Sequence, residues 1–332
     1  IGQEVQVIEG QTHVVGDAED LATLSNLDAI VTCQGSDYTS KVHGDLRRGG
    51  WNGYWIDAAS YLRNSGNATL VLDPVNRLQM ESDVDRGVKD FPGVNCSTAM
   101  LALGAAGLFK AGLVESINLV TEQAISGAGA RKLTRALNQI ASVHIEIGEF
   151  LKRDAEPLEI AAVVLKHLRS PQFTAGGKLG QAILANMQPW IGEDDGTGHT
   201  SEERKAFKEI NKLFEPEEPI PIDCTCTRID TLRSHAIIPT ITLKQDVPLD
   251  EIEDMMASAH PWIKLVPNNA EASLGDLTPV DVSETLDIAV GRLRKATRNP
   301  RELQAVIVGD QLLWGAAEPL RRTLGIVMEH RA

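Results

Sequence analysis

Short apolar runs alternate with helix-length polar segments through the first third of the chain, and this limits its possible folds more than any other feature. LDAIVTCQG, ending at Gly35, GYWIDAAS (53–60) and ATLVLDP (68–74) read as buried strands that end in small or polar residues. Between them lie segments such as SKVHGDLRRGGW with helical character. Strand alternating with helix predicts a mostly parallel sheet with helices on its faces. Ligands of such sheets collect at the carboxyl ends of the strands. Here those ends carry Gln34-Gly35 and Asp57-Ala58-Ala59-Ser60.

The texture changes at FPGVNCSTAMLALGAAGLFKAGL. Gly93 and Asn95 mark a turn, and the small, apolar stretch from about Ser97 predicts a buried helix with Cys96 at its start. ESINLVTEQAISGAGARKL predicts a strand, a glycine-containing turn and a helix. Residues 191–201 read as an acidic surface loop. Thr200 and Glu203 then have capping-box spacing, so a helix is expected through EERKAFKEINKLF and ended by Pro216, Pro219 and Pro221. CTCTRIDTLRSHAIIPTITLK alternates as sheet strands do. The tail VGDQLLWGAAEPLRRTLGIVMEH reads as helical with one proline-containing interruption.

Bulk properties narrow the function classes. The 332 residues suffice for one large or two ordinary domains, with 42% hydrophobic and 23% charged residues. A formal net charge of -14 argues against nucleic acid or an anionic membrane as the main partner, and no apolar run is long enough to span a bilayer. No signal peptide is expected. The four cysteines, Cys33, Cys96, Cys224 and Cys226, form no CxxC pair and are too few for a disulfide scaffold, so a reducing cytoplasm is expected.

Several residues could carry chemistry. A thiol at a helix N-terminus meets unpaired N–H groups and the positive end of the dipole, both of which favour thiolate; Cys96 is therefore a candidate nucleophile, the alternative being a small buried hydrophobe. His235 could serve such a cysteine as general base, or be structural. Arg228 and His235 are an odd number of residues apart. On one regular strand they would face opposite ways, so a bulge or bend is expected if both reach one site. Arg63, Glu202, Lys205 and Arg228 could bind a charged substrate, since guanidinium forks suit carboxylates and ammonium suits phosphate. Glu202 and Lys205, three apart on one helix, can face the same way; a solvated face with a weak ion pair is the alternative. Ser126-Gly127-Ala128-Gly129 could admit a cofactor ring or a pyrophosphate, although no GxGxxG is present. The histidines show no metal-ligand spacing, and no metal site is expected.

Taken together, VTCQGSDYT, GYWIDAASYLR, LDPVN, GVNCST, QAISGAGAR, the EERK–EINK helix, RIDTLRSH, LTP, VGRLRK and VGDQLLWGAAEPLRR resemble the aspartate-semialdehyde dehydrogenase family, in particular its Gram-negative bacterial branch. The stretches span nearly the whole chain in order. The resemblance implies a cysteine-dependent, NADP-linked cytoplasmic enzyme that interconverts aspartyl phosphate and aspartate semialdehyde in lysine, methionine, threonine and diaminopimelate biosynthesis, and a homodimer. It implies Cys96 as nucleophile, His235 as general acid/base and Gln123 orienting the thioester carbonyl. Arg228 and Glu202 would hold the aspartyl carboxylate and amine; Arg63 and Lys205, with Asn95 beside them, the phosphate. Gln34, Ser126, Gly127 and Gln311 would line the NADP site. Two departures stand out. The chain starts at the family's LGQ-like segment, after the strand, Gly-rich turn and helix that hold the cofactor phosphates, and SGAGA replaces the usual SGGGA.

The expected fold is thus an incomplete Rossmann-like NADP-binding domain (1–95 with 318–332) and a larger α+β catalytic and dimerisation domain (96–317). Alternative readings are a non-catalytic fragment or pseudoenzyme without productive NADP binding, and the related N-acetylglutamyl-phosphate reductase. The Glu202–Lys205 helix and RIDTLRSH favour the aspartyl enzyme.

Overall fold

A computed structural model describes residues 1–8, 10–174 and 182–330. The chain divides into two compact units, Ile1–Val94 with Pro319–Ala332, and Asn95–Glu318.

The first unit opens with an antiparallel pair, β1 (Glu4–Ile8) and β2 (Gln11–Val14), and a one-turn helix α1 (Leu21–Leu24) capped by Asp20. A three-stranded parallel sheet follows: β3 (Ala29–Thr32), α2 (Ser36–Arg48), β4 (Tyr54–Asp57), α3 (Asp73–Asp85) and β5 (Asp90–Pro92), in the order β3-β4-β5. The strand–helix alternation read from the sequence is therefore present, and this is a Rossmann-like arrangement. Its third strand differs from expectation. Residues 68–72 are buried but make only isolated bridges, Ala68 to Asp90 and Val71 to Gly93. The sheet position belongs to the short β5, which the apolar-run criterion overlooks because it is three residues long. Tyr54, Ile56, Val71, Met80 and Phe91 form a core with Leu320, Ile326 and Val327 of the C-terminal helix α13 (Glu318–Glu329).

The second unit is built on a six-stranded mixed sheet. After α4 (Cys96–Gly104) and α5 (Ala106–Lys110), β6 (Val114–Gln123) leads through a 3-10 turn (Ile125–Ala128) into the long α6 (Ala130–Lys152), then α7 (Pro157–Leu168) and α8 (Pro171–Thr174). Next come α9 (Glu203–Phe214), β7 (Ile222–Arg228), β8 (Ser234–Leu243), α10 (Leu249–Ala257), β9 (Ile263–Leu265), α11 (Ala270–Asp276), α12 (Pro279–Val282), β10 (Ile288–Lys295) and β11 (Glu302–Asp310). The strand order is β7-β6-β8-β11-β10-β9. Apolar all round, α4 is buried from Ser97 to Gly104, as a core helix must be.

Two sequence readings change here. The tail is not helical from its start: Val308, Gly309 and Asp310 end β11, and Leu313–Ala317 form a π-helical turn. The strand-parity difficulty at Arg228 and His235 also disappears. It assumed one strand, but Arg228 ends β7, His235 begins β8, and residues 229–233 turn between them. Because β6 lies between these strands, the turn can bring both side chains to one end of the sheet without a bulge.

Candidate active site

The second unit gathers a cluster of polar residues around Cys96. Asn95 caps α4, its Oδ1 accepting from the N–H groups of Ser97 (3.1 Å) and Thr98 (3.3 Å), so the helix begins at the cysteine. A capped first turn fixes the thiol where the helix dipole favours thiolate. His235 Nε2 lies 3.2 Å from Cys96 Sγ. The other ring nitrogen, Nδ1, accepts the backbone N–H of Ala124 at 3.0 Å. Burial, and then the charge of Arg228, push the imidazole down to about 3, against a weaker pull from Glu202.

Helix α9 supplies the carboxylate and the ammonium. Thr200 and Glu203 make the reciprocal capping-box bonds, Thr200 N–H to Glu203 Oε2 at 2.7 Å and Glu203 N–H to Thr200 Oγ1 at 3.3 Å. This start directs Glu202 and Lys205 the same way, and Lys205 Nζ meets Glu202 Oε2 at 2.6 Å. Glu202 Oε1 accepts from Asn95 Nδ2 (2.9 Å) and Gln123 Nε2 (3.3 Å). Burial raises the Glu202 carboxyl, but Lys205 and the two amides more than offset it, so its pKa lies below the ordinary value. The buried Arg228 donates from Nη1 to the Ala124 carbonyl at 2.5 Å. Cys96, Gln123, Glu202, Lys205, Arg228 and His235 are thus linked through Asn95 and Ala124.

Ser126, Gly127 and Gln311 gather beside this cluster. Gln311 Nε2 donates to Ser126 Oγ at 2.7 Å, and Ser126 Oγ donates to the Arg233 carbonyl at 3.3 Å. A Cβ on Gly127 would lie 3.2 Å from both Arg228 Nη1 and His235 Cε1, so its absence leaves flat space against the pair. Arg63 and Gln34 belong to the other unit. Arg63 is buried and donates to the Ala58 carbonyl at 2.9 Å, while Gln34 follows β3 directly before the α2 start.

Three contributors escape sequence reasoning. Glu209, also buried on α9, accepts the Asn95 N–H at 2.6 Å. Its seven-residue offset from Glu202 was the available signal. Gly315 comes so close that an added Cβ would lie 2.5 Å from Cys96 Cβ and 2.9 Å from its Cα. Ala124 acts through its peptide group and so leaves no side-chain signature.

Comparison with known proteins shows the family. Residues 1–82 match the family model described as semialdehyde dehydrogenase, NAD binding domain, and residues 105–314 that described as semialdehyde dehydrogenase, dimerisation domain. Aspartate semialdehyde dehydrogenase from Francisella tularensis is 40% identical over 95% of this chain and 85% of its own, with a TM-score of 0.90. The chain belongs to the aspartate semialdehyde dehydrogenase family. Two more distant family structures share the fold. Aspartate semialdehyde dehydrogenase II from Vibrio cholerae, complexed with ASA, is 20% identical, covers 99% of this chain and 87% of its own, and has a TM-score of 0.77. The Candida albicans enzyme with NADP is 15% identical, covers 98% of this chain and 84% of its own, and has a TM-score of 0.64. Among the described residues, no helix is long and apolar enough to cross a membrane.

Proposed function

We propose that this protein interconverts L-aspartyl phosphate and L-aspartate semialdehyde through a thioester on Cys96, with NADP as redox partner, as a cytoplasmic homodimer serving lysine, methionine, threonine and diaminopimelate biosynthesis. The observation that carries this reading is the 3.2 Å approach of His235 Nε2 to Cys96 Sγ at a capped helix start. The matching dimerisation-domain model supports the dimer, and the ASA-bound and NADP-bound relatives support the ligands.

The residues present fit a dinucleotide. The side-chain-free face of Gly127 suits a flat ring, and Ser126 and Gln311 offer polar atoms beside it. In the first unit, α2 begins without a side-chain cap, leaving first-turn N–H groups for an anionic group, and Gln34 precedes it. When bound, the nicotinamide supplies the hydride acceptor. The chain's own residues do the rest. Cys96 thiolate adds to the aldehyde carbon, forming the C–S bond, while His235 and Gln123 face the developing oxygen. Loss of hydride leaves the thioester. Phosphate, held by Lys205, attacks the acyl carbon, and the C–S bond breaks to return the thiolate. Arg228 clamps the substrate carboxylate, and Glu202 takes the amine. Binding the amine requires Glu202 to exchange part of its contact with Lys205, which frees that ammonium for phosphate.

The test is turnover of aspartate semialdehyde with phosphate and either NADP or NAD, alongside mass spectrometry of protein quenched without phosphate. An aspartyl adduct on the peptide containing Cys96 and a preference for NADP are expected. Turnover without any adduct would overturn the thioester, and a preference for NAD the cofactor assignment.

A further inference from the structure

The hydrogen bonds around His235 go beyond its proximity to the nucleophile. Nδ1 accepts a backbone N–H, and a peptide N–H cannot reverse its role. Nδ1 is therefore unprotonated. A neutral imidazole then carries its proton on Nε2, the nitrogen that faces Cys96 Sγ. An imidazolium would direct Nδ1–H at the Ala124 N–H, two donors 3.0 Å apart with no acceptor between them. The Ala124 peptide is held in turn: Arg228 donates to its carbonyl. We infer that the Ala124 peptide is a positioning group that locks His235 as the neutral Nε2–H tautomer, so that the resting pair is a thiolate with a neutral hydrogen-bond donor, not a thiolate–imidazolium ion pair.

The charged and titratable groups around the ring agree. Cys96 faces it from α4, Arg228 from the end of β7 and Glu202 from the start of α9; Arg228 disfavours a second positive charge and, with the α4 terminus, helps to hold the thiolate. In the oxidising direction no proton need move in the first half-reaction. Thiolate adds to the aldehyde carbon and gives an alkoxide, which accepts a hydrogen bond from Nε2–H. The alkoxide electron pair then forms the thioester carbonyl as hydride departs. The general acid/base role expected for His235 thus narrows, at this stage, to hydrogen-bond donation. The role at the alkoxide rests on the proposed thioester chemistry, whereas the tautomer does not.

The tautomer is read directly by nitrogen NMR of protein labelled with 15N-histidine, with His235→Gln identifying the signals. A protonated Nε2 and an unprotonated Nδ1, unchanged from about pH 5 to about pH 9, are expected. A proton on Nδ1, or an imidazolium at neutral pH, would overturn the lock. Because this measurement needs no substrate, failure of the proposed reaction would show separately in the turnover assay. A second reading is Cys96 alkylation by iodoacetamide against pH. A single thiol step is expected, with no acid plateau; two inflections mark an ion pair and overturn the inference. Ala124 has φ -65, the value proline adopts, so Ala124→Pro deletes the N–H with the backbone angle retained. That variant frees Nδ1 to hold the ring's proton; burial and Arg228 still disfavour a charged ring, so the neutral Nδ1–H tautomer forms, Cys96 loses its donor and the thiolate is destabilised. Alkylation below neutrality should then slow about tenfold. An unchanged profile in folded Ala124→Pro counts against the lock, and the wild-type spectrum decides alone where that variant does not fold.

Discussion

The second unit holds thiols in two settings, and their difference shows what makes a cysteine reactive. Cys96 begins a capped helix, is half-buried and faces an imidazole. Cys224 and Cys226 alternate on β7, so both point to one face, where their sulfurs lie 3.5 Å apart and buried. The hydrogen bond to Cys226, and then burial, raise the Cys224 thiol far above its ordinary range. The same functional group is thus disposed toward anion at one place and held neutral at the other. Sulfur proximity alone does not activate a thiol; fixed donors and positive charge do.

The largest effect should separate the two settings outright. Cys96→Ala removes the nucleophile and should lower turnover by at least roughly 10⁴-fold, with circular dichroism unchanged. Cys224→Ala and Cys226→Ala remove only packing, so turnover of aspartate semialdehyde should stay within about threefold. Comparable losses in all three variants would end the distinction.

The next test leaves the thiol in place and moves it. Gly315→Ala puts a methyl group 2.5 Å from Cys96 Cβ, against backbone as well as side chain, so α4 or the π-helical turn must give way. A displacement on the order of 1 Å costs about 10²-fold in rate, and kcat should fall much more than KM rises. Wild-type kcat in that variant would show that the contact is not what places the sulfur.

Much of the fold was legible because it depends on local pattern. The strand–helix alternation around β3, α2 and β4, the buried helix after Asn95 and the capping box at Thr200 and Glu203 each use signals confined to a few residues. The errors arose where a pattern stops short of tertiary structure. Residues 68–72 are as apolar as a strand yet only bridge to β5, and the turn at 229–233 is invisible to a count of residue parity. At the candidate site, the residue types near Cys96 were legible, but the contact of Gly315 was not. That contact joins positions far apart in sequence, and the hydrogen bond from Ala124 involves no side chain at all.

Arg228 tests whether the charge near Cys96 or its geometry matters more. Its Nη1 bond to the Ala124 carbonyl uses one arm of the guanidinium, and the proposed substrate clamp uses a planar fork. Arg228→Lys keeps the positive charge and loses the planar pair of donors. Losing one charge-assisted bond of about 1.5–3 kcal/mol corresponds to roughly 10–100-fold in kcat/KM. If lysine supports wild-type kinetics, charge alone suffices and the comparison with Cys224 and Cys226 reduces to electrostatics.

The smallest effect concerns stability, and its sign follows from the two settings. Burial depresses the His235 pKa from 6.5 to about 3, so between these values the unfolded chain binds a proton that the folded chain does not. Stability therefore rises with pH through this window and falls on acidification, by up to about 1.4 kcal/mol per pH unit for one proton. Cys224 contributes nothing there, because its raised pKa leaves the thiol protonated in both states. Carboxylates with lowered pKa, Glu202 among them, add their own loss only as pH falls through and below about 4.5, which leaves the range from about 6.5 to about 5 to the imidazole. The measurement is urea unfolding of wild type and His235→Gln across that range. The wild-type curve should fall more steeply with acid than the variant's, whereas a Cys224→Ala curve should run parallel to wild type. Parallel curves for wild type and His235→Gln would mean that His235 accepts a proton while folded, and the contrast between the two thiol settings would then have to be redrawn around an imidazolium.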